Sequence, residues 1–206
     1  MLDKNPAPAP FDWKENTISP VTNPIFFEDP VIRSEIRPIF MYHRFDDQFV
    51  TGRGRAAVGA IQLRYAITDR LAFIATSDGY MNINGTNMHA GGWLDLAAGF
   101  KYALINDVQN QFILTPGFTF HLPTGDSNVF HGRGSGQANP FISFAKGFGD
   151  VHVTGNVGAL IPMLRPEQNV MAHYSLNLQG QNDPPASCSW HYRCPPSCLT
   201  FYPFSM

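Results

Sequence analysis

Four side chains near the C-terminus have the types and spacing of a metal site. Cys188, His191, Cys194 and Cys198 read C-x2-H-x2-C-x3-C, and thiolates with an imidazole are ligands that tetrahedral zinc takes. Pro184–Pro185 and Pro195–Pro196 break the surrounding segment into pieces, whereas a metal-stapled appendage needs its ligands held by local turns or a small core. The expectation is an accidental cluster and no cofactor. His173 and Ser175 lie two apart, on one face of a strand. Such a pair becomes a nucleophile when the imidazole reaches the hydroxyl and an acid orients the imidazole. No carboxylate is nearby in sequence, so two polar wall residues are the simpler expectation. The glycine-rich stretches 52–54 and 132–136 lack both phosphate-loop spacing and a following helix; they read as loop glycines.

A larger set of polar residues falls into phase with the chain around it. From Ser34 to about Gln179 the sequence alternates with period two, as strands do. Eight segments emerge: Ser34–Phe45, Arg55–Ile67, Leu71–Tyr80, Gly92–Ala103, Asn110–Leu122, Asn139–Gly147, Val151–Ile161 and Val170–Gln179. In the second, Ile61, Leu63, Tyr65 and Ile67 oppose Gln62 and Arg64. In the fourth, Leu94, Leu96, Ala98, Phe100 and Tyr102 oppose Asp95 and Lys101; in the fifth, Phe112, Leu114, Phe118, Phe120 and Leu122 oppose Thr115, Thr119 and His121. The third alternates only weakly. Glu35, Arg37, His43, Arg64, Asp95, Lys101, Thr115, His121 and His173 therefore fall on polar faces. In a closed sheet they would line a lumen and set its size and ion preference. Lys146 is ambiguous, close to a turn.

The connections alternate as well. Those at 46–54, 81–91, 123–138 and 162–169 are long, and those at 68–70, 105–108 and 148–150 are short. Successive antiparallel connections lie at opposite ends, so one end carries tight turns and the other long polar loops, as in outer-membrane barrels. About ten residues at ~3.3 Å each, tilted by ~45°, span roughly 23 Å, close to the ~25 Å apolar band of such barrels. Tyr65, Tyr102, Phe112 and Phe120 sit near stripe ends, where aromatic girdles lie. Arginine at Leu96 or Phe118 is then expected to block membrane assembly, and arginine at Thr115 or Asn177 to be accommodated.

Composition agrees. Of 206 residues, 15% are charged and 17 are Phe, which argues against a coiled coil, a helical bundle and a disordered acidic chain. Lys+Arg 14 against Asp+Glu 16 gives net −2, so no general attraction to nucleic acid follows. No run of 18 apolar residues exists for a membrane helix, but a membrane strand needs only alternation over about 9–11 residues. All 3 cysteines lie beyond residue 187, and a thiol-free chain before them suits an oxidising compartment.

The words ITDRLAF (67–73), WLDLAAGFKYAL (93–104), FHLPTGD (120–126) and KGFGDVHVTGNVGALIP (146–162) resemble Gram-negative outer-membrane β-barrels. They are most similar to the family named for the meta-pathway of phenol degradation. The most specific word is Leu122–Asp126, which closes an alternating strand and opens a long loop. The resemblance covers roughly residues 20–180. It implies a non-enzymatic channel or transporter for small compounds, hydrophobic ones among them, in the bacterial outer membrane. Its implied partners are the lipid bilayer, small-molecule solutes and the barrel-assembly machinery. Family members begin with a signal peptide and run on through further strands; this sequence has neither, and its tail reads as a shifted frame. The expectation is an all-β, antiparallel, up-and-down transmembrane barrel of about eight strands, a piece of a larger barrel. Residues 1–33 form an extended Pro-rich arm, 34–180 the strands, and 181–206 an irregular Cys- and Pro-rich tail. The rival readings are a soluble β-barrel or sandwich holding an apolar ligand, and a barrel lipid hydrolase built on His173 and Ser175.

Overall fold

A computed structural model of the chain describes residues 26–47, 52–132, 134–148, 151–163, 169–180 and 198–201. Cys188, His191 and Cys194 lie outside them, as do residues 1–25 of the expected arm. The fold is all-β: one antiparallel sheet curls into a half-barrel. The strands are β1 (Glu35–Phe45), β2 (Gly54–Ala66), β3 (Leu71–Gly85), β4 (His89–Trp93), β5 (Leu96–Tyr102), β6 (Ile105–Asp107), β7 (Phe112–Leu122), β8 (Gln137–Phe148), β9 (Val151–Pro162), β10 (Met171–Gly180) and β11 (Cys198–Phe201). Neighbours in sequence are neighbours in the sheet, in the order β1-β2-β3-β5-β7-β8-β9-β10-β11. β4 and β5 both pair with β3, as one strand interrupted at Leu94–Asp95, and β6 extends the turn before β7. Eight crossings of the sheet precede β11, in line with the eight alternating segments.

The sheet is polar on its concave face and apolar on its convex one. On β2, Ile61 and Tyr65 are 57% and 60% exposed, while Gln62 and Arg64 are each 1% exposed. On β7 the outward Phe118 is 46% exposed and the inward Thr115 and Thr119 are buried. On β10, Tyr174, Leu176 and Leu178 are exposed and Asn177 and Gln179 buried. Hydrogen-bonded register fixes this phase from strand to strand: Thr115, Ser143, Asn156 and Ser175 are successive partners across β7, β8, β9 and β10. They form one polar rung on the inner wall, and Asn156 Nδ2 donates to Ser143 Oγ at 2.8 Å. The outer face gathers aromatics as well, Tyr80 lying edge-on to Trp93 at 5.5 Å.

Three sequence expectations need correction. The third segment does not end at Tyr80, nor is 81–91 a loop: β3 runs to Gly85 and pairs with β4 through Asn84↔His89. A bulge hid it. Ile61 pairs with Asp78 but Leu63 with Ala75, so Thr76 and Ser77 together face Gln62, whose Nε2 donates to Thr76 O at 3.0 Å. One extra residue reverses the phase of everything after it. The even-numbered Ala72 and Ile74 are buried before the bulge, and the odd-numbered Ile83 after it. The second correction is Leu94, which leaves the outer stripe for the β4–β5 break, half-buried, its N–H on Gly79 O at 2.9 Å. Third, the tail is not wholly irregular, since Cys198–Phe201 pairs with the outer edge of β10. At the opposite edge lies β1, which carries Pro38, a residue tolerated there because an edge does not need its missing N–H.

Candidate functional site

Inside the curl runs a segment that the alternation did not reach. Residues 26–33 precede β1 and belong to no strand, yet Phe27, Glu28, Asp29 and Val31 are all buried. This part of the expected arm is packed against the polar wall. Ser143 Oγ donates to Glu28 O and Thr115 Oγ1 to Pro30 O, both at 2.7 Å. Val31 joins Ile113 and Ala145 in a small apolar contact, and the Phe26 ring lies 5.4 Å from that of His173. Hydroxyls on the wall thus take up carbonyls that the segment, outside any ladder, would otherwise bury unpaired.

Glu28 is the centre of this contact. Its carboxylate accepts from Arg64 Nε at 2.8 Å and, through the other oxygen, from Arg64 Nη2 at 2.7 Å, a two-pronged clamp. Lys101 Nζ donates to Glu28 Oε1 at 2.7 Å and to the Asp29 carbonyl at 2.6 Å. Arg64 also reaches Glu35 Oε1 at 3.0 Å and Gln62 Oε1 at 3.2 Å. Arg37 and Arg33 hold Glu35 at 2.8 Å and 3.3 Å, and Arg33 also pairs with Asp29. Burial alone would push the Glu28 carboxyl up; the Lys101 and Arg64 charges and their hydrogen bonds outweigh it and hold it down at about 2.

Of the residues singled out from the sequence, Glu35, Arg37, Arg64, Lys101 and Thr115 come together here, on the half of the wall nearer the short turns. His121 and His173 sit farther toward the long loops, where His173 Nε2 is 2.9 Å from Asn139 Oδ1. Among the described residues His173 Nδ1 has no hydrogen-bond partner, and none of their acids orients this imidazole. His43 is exposed near the end of edge strand β1. Asp95 does not line the lumen as a free charge: its Oδ1 accepts from Gly125 N at 2.9 Å and Gly132 N at 2.8 Å, and its Oδ2 lies 3.2 Å from His131 Nδ1. Together with Asp126, whose Oδ2 accepts from Trp93 N at 2.8 Å, it pins the loop 123–136 back onto the β4–β5 break. Gly132 holds a left-handed φ of 66° there, and a Cβ would strike Gly125 O at 2.1 Å. Thr115 and Asn177 are 0% and 1% exposed, so an arginine at either finds no open lumen to enter.

Sequence reasoning missed Glu28 and Asp29 because they lie outside any period. The available signal was the word Phe26–Phe27–Glu28–Asp29–Pro30, two aromatics and two acids directly upstream of a wall rich in inward cations. Cys198 is placed in β11, and no group of three or more His, Cys, Asp or Glu side chains suited to a metal occurs among the described residues. No family model, no curated protein and no solved structure matches this chain.

Proposed function

We propose that this chain is a bacterial outer-membrane β-barrel protein that passes small solutes through its interior and does no covalent chemistry. One observation carries the reading: the antiparallel wall turns most of its large apolar side chains outward and buries Arg64, Lys101 and most of its amides inward, β3 beyond its bulge, with Ile83 buried and Asn82 exposed, being the exception. In water that arrangement leaves Phe40, Ile61, Phe100, Tyr174 and many like them exposed, far beyond a patch of a few hundred Å² that a soluble monomer carries. Against lipid it is the favourable one, because an outward apolar band faces hydrocarbon and the polar interior faces solute and water. A soluble barrel holding an apolar ligand would need the reverse. The short turns at one end and the pinned long loop at the other also support it, as does the resemblance of residues 67–73, 93–104, 120–126 and 146–162 to outer-membrane barrels.

The bilayer, the assembly machinery and small solutes are the partners this reading calls for. Refolding into phospholipid vesicles tests it. The protein should float with the vesicles, resist carbonate extraction and release an entrapped small solute. Remaining in the aqueous fraction, monomeric without detergent, is the result that contradicts it.

A further inference from the structure

The wall cations that hold Glu28 form a ready-made receptor for a carboxylate. Arg64 and Lys101 are each 1% exposed. They come from β2 and β5, with β3 between them, and converge on one pair of oxygens from two directions. On this half of the wall the inward strand residues carry three cations, Arg37, Arg64 and Lys101, against one acid, Glu35; the acids that balance them, Glu28 and Asp29, come from segment 26–33. That segment is not part of the sheet. Glu28 and Pro30 are held by wall side chains rather than by a ladder, so withdrawing the segment breaks no strand pairing. Among the described residues, it would uncover two buried cations, two hydroxyls and no acid other than Glu35.

We propose that Arg64 and Lys101 form the binding site for small carboxylate solutes in the barrel interior, and that Glu28 fills this site as an internal stand-in that the solute displaces. The inference rests on the channel reading above and narrows its substrate class to anions bearing a carboxylate. Two parallel guanidinium hydrogen bonds plus an ammonium match the planar geometry of a carboxylate. A cationic ring in a pore selects anions on the same basis.

The test uses the full chain in detergent micelles with trifluoroacetate as probe, its ¹⁹F signal reporting binding directly. Glu28→Gln should bind the probe saturably and at least about ten-fold more tightly than the parent protein. Adding Lys101→Gln to Glu28→Gln should abolish the gain. Equal, weak binding by the parent and Glu28→Gln overturns the proposal. If Glu28→Gln does not fold, Glu28→Ala is refolded in acetate and in chloride at equal ionic strength. Several-fold more folded protein in acetate supports the site, because the anion replaces the lost side chain; equal yields overturn it. Vesicle flotation of the same samples keeps the two readings apart. A protein that floats but gains no anion binding leaves the channel and removes the site. A protein that gains binding without entering vesicles leaves the site and removes the channel.

Discussion

Glu28 joins two strands and a segment that share no backbone ladder, so the stability of the interior should depend on its charge. Its carboxyl is held at about 2 against an ordinary 4.5. A depressed acid contributes stability that is present above the unfolded value and lost as pH falls through the folded one. The loss should therefore run from about pH 4.5 to about 2 and amount to about 3 kcal/mol. Urea denaturation across that window should show a steeper fall for the parent protein than for Glu28→Gln, and parallel curves would show that Glu28 is not clamped. At neutral pH, Glu28→Gln should cost about 3–5 kcal/mol, the usual penalty for leaving buried charges without a partner. A quieter position is Gly99 on the inner face of β5, where a Cβ would meet Phe118 O at 1.9 Å. That neighbour is backbone and cannot swing aside, so Gly99→Ala should lose about 3 kcal/mol, the upper part of the range for overpacking. Gly59→Ala, with nothing within 4 Å, should be neutral in the same urea denaturation. Arg64 and Lys101 were legible in the sequence because each opposes an apolar stripe. Their partner was not, because an irregular segment has no phase to read, and Asp95 looked like a lumen charge until the backbone amides of Gly125 and Gly132 were seen around it.

At the scale of the strand, period two was enough to find most of the sheet. β1, β2, β7, β8, β9 and β10 begin and end within two residues of the alternating segments, because each has one face on the interior and one outside. β3 and the β4–β5 strand were harder for a shared reason: each changes phase part-way, at Thr76–Ser77 and at Leu94–Asp95. A window that straddles such a point sees both faces mixed. The bulge is then a specification rather than a blemish, since it absorbs the extra residue and keeps Ile83 inward and Tyr80 outward. Deleting Ser77 should remove the bulge yet leave Ile83 inward and Tyr80 outward, because Thr76 alone then faces Gln62 between the pairs Ile61↔Asp78 and Leu63↔Ala75; assembly, read by β-sheet circular dichroism in detergent, should be retained. Loss of assembly would mean that the register on the two sides of residue 77 is not the one the bulge reconciles. Edge position should also leave a mark. β1 pairs on one side only among the described residues and contains Pro38, so its amides should exchange faster than those of β5 and β7, which are paired on both sides. Uniform protection would point to a closed sheet.

For the molecule as a whole, the central claim is that the barrel wall is turned inside out relative to a soluble protein. The alternation in the sequence shows two chemically different faces but not which one lies inside, since a soluble sandwich alternates as cleanly; the curl of the sheet and the burial of Arg64, Lys101 and Asn177 decide it. The interior is also fuller than the alternation suggests, because a segment of the chain lies in it. Nitroxide scanning of β7 in phospholipid vesicles, with Cys188, Cys194 and Cys198 replaced by Ser, is the most direct test. Labels at residues 117–122 should show oxygen accessibility with a period of two, high at Phe118, Phe120 and Leu122 and low at Gly117, Thr119 and His121. A flat profile, or maxima at Thr119 and His121, would contradict an apolar face turned to lipid.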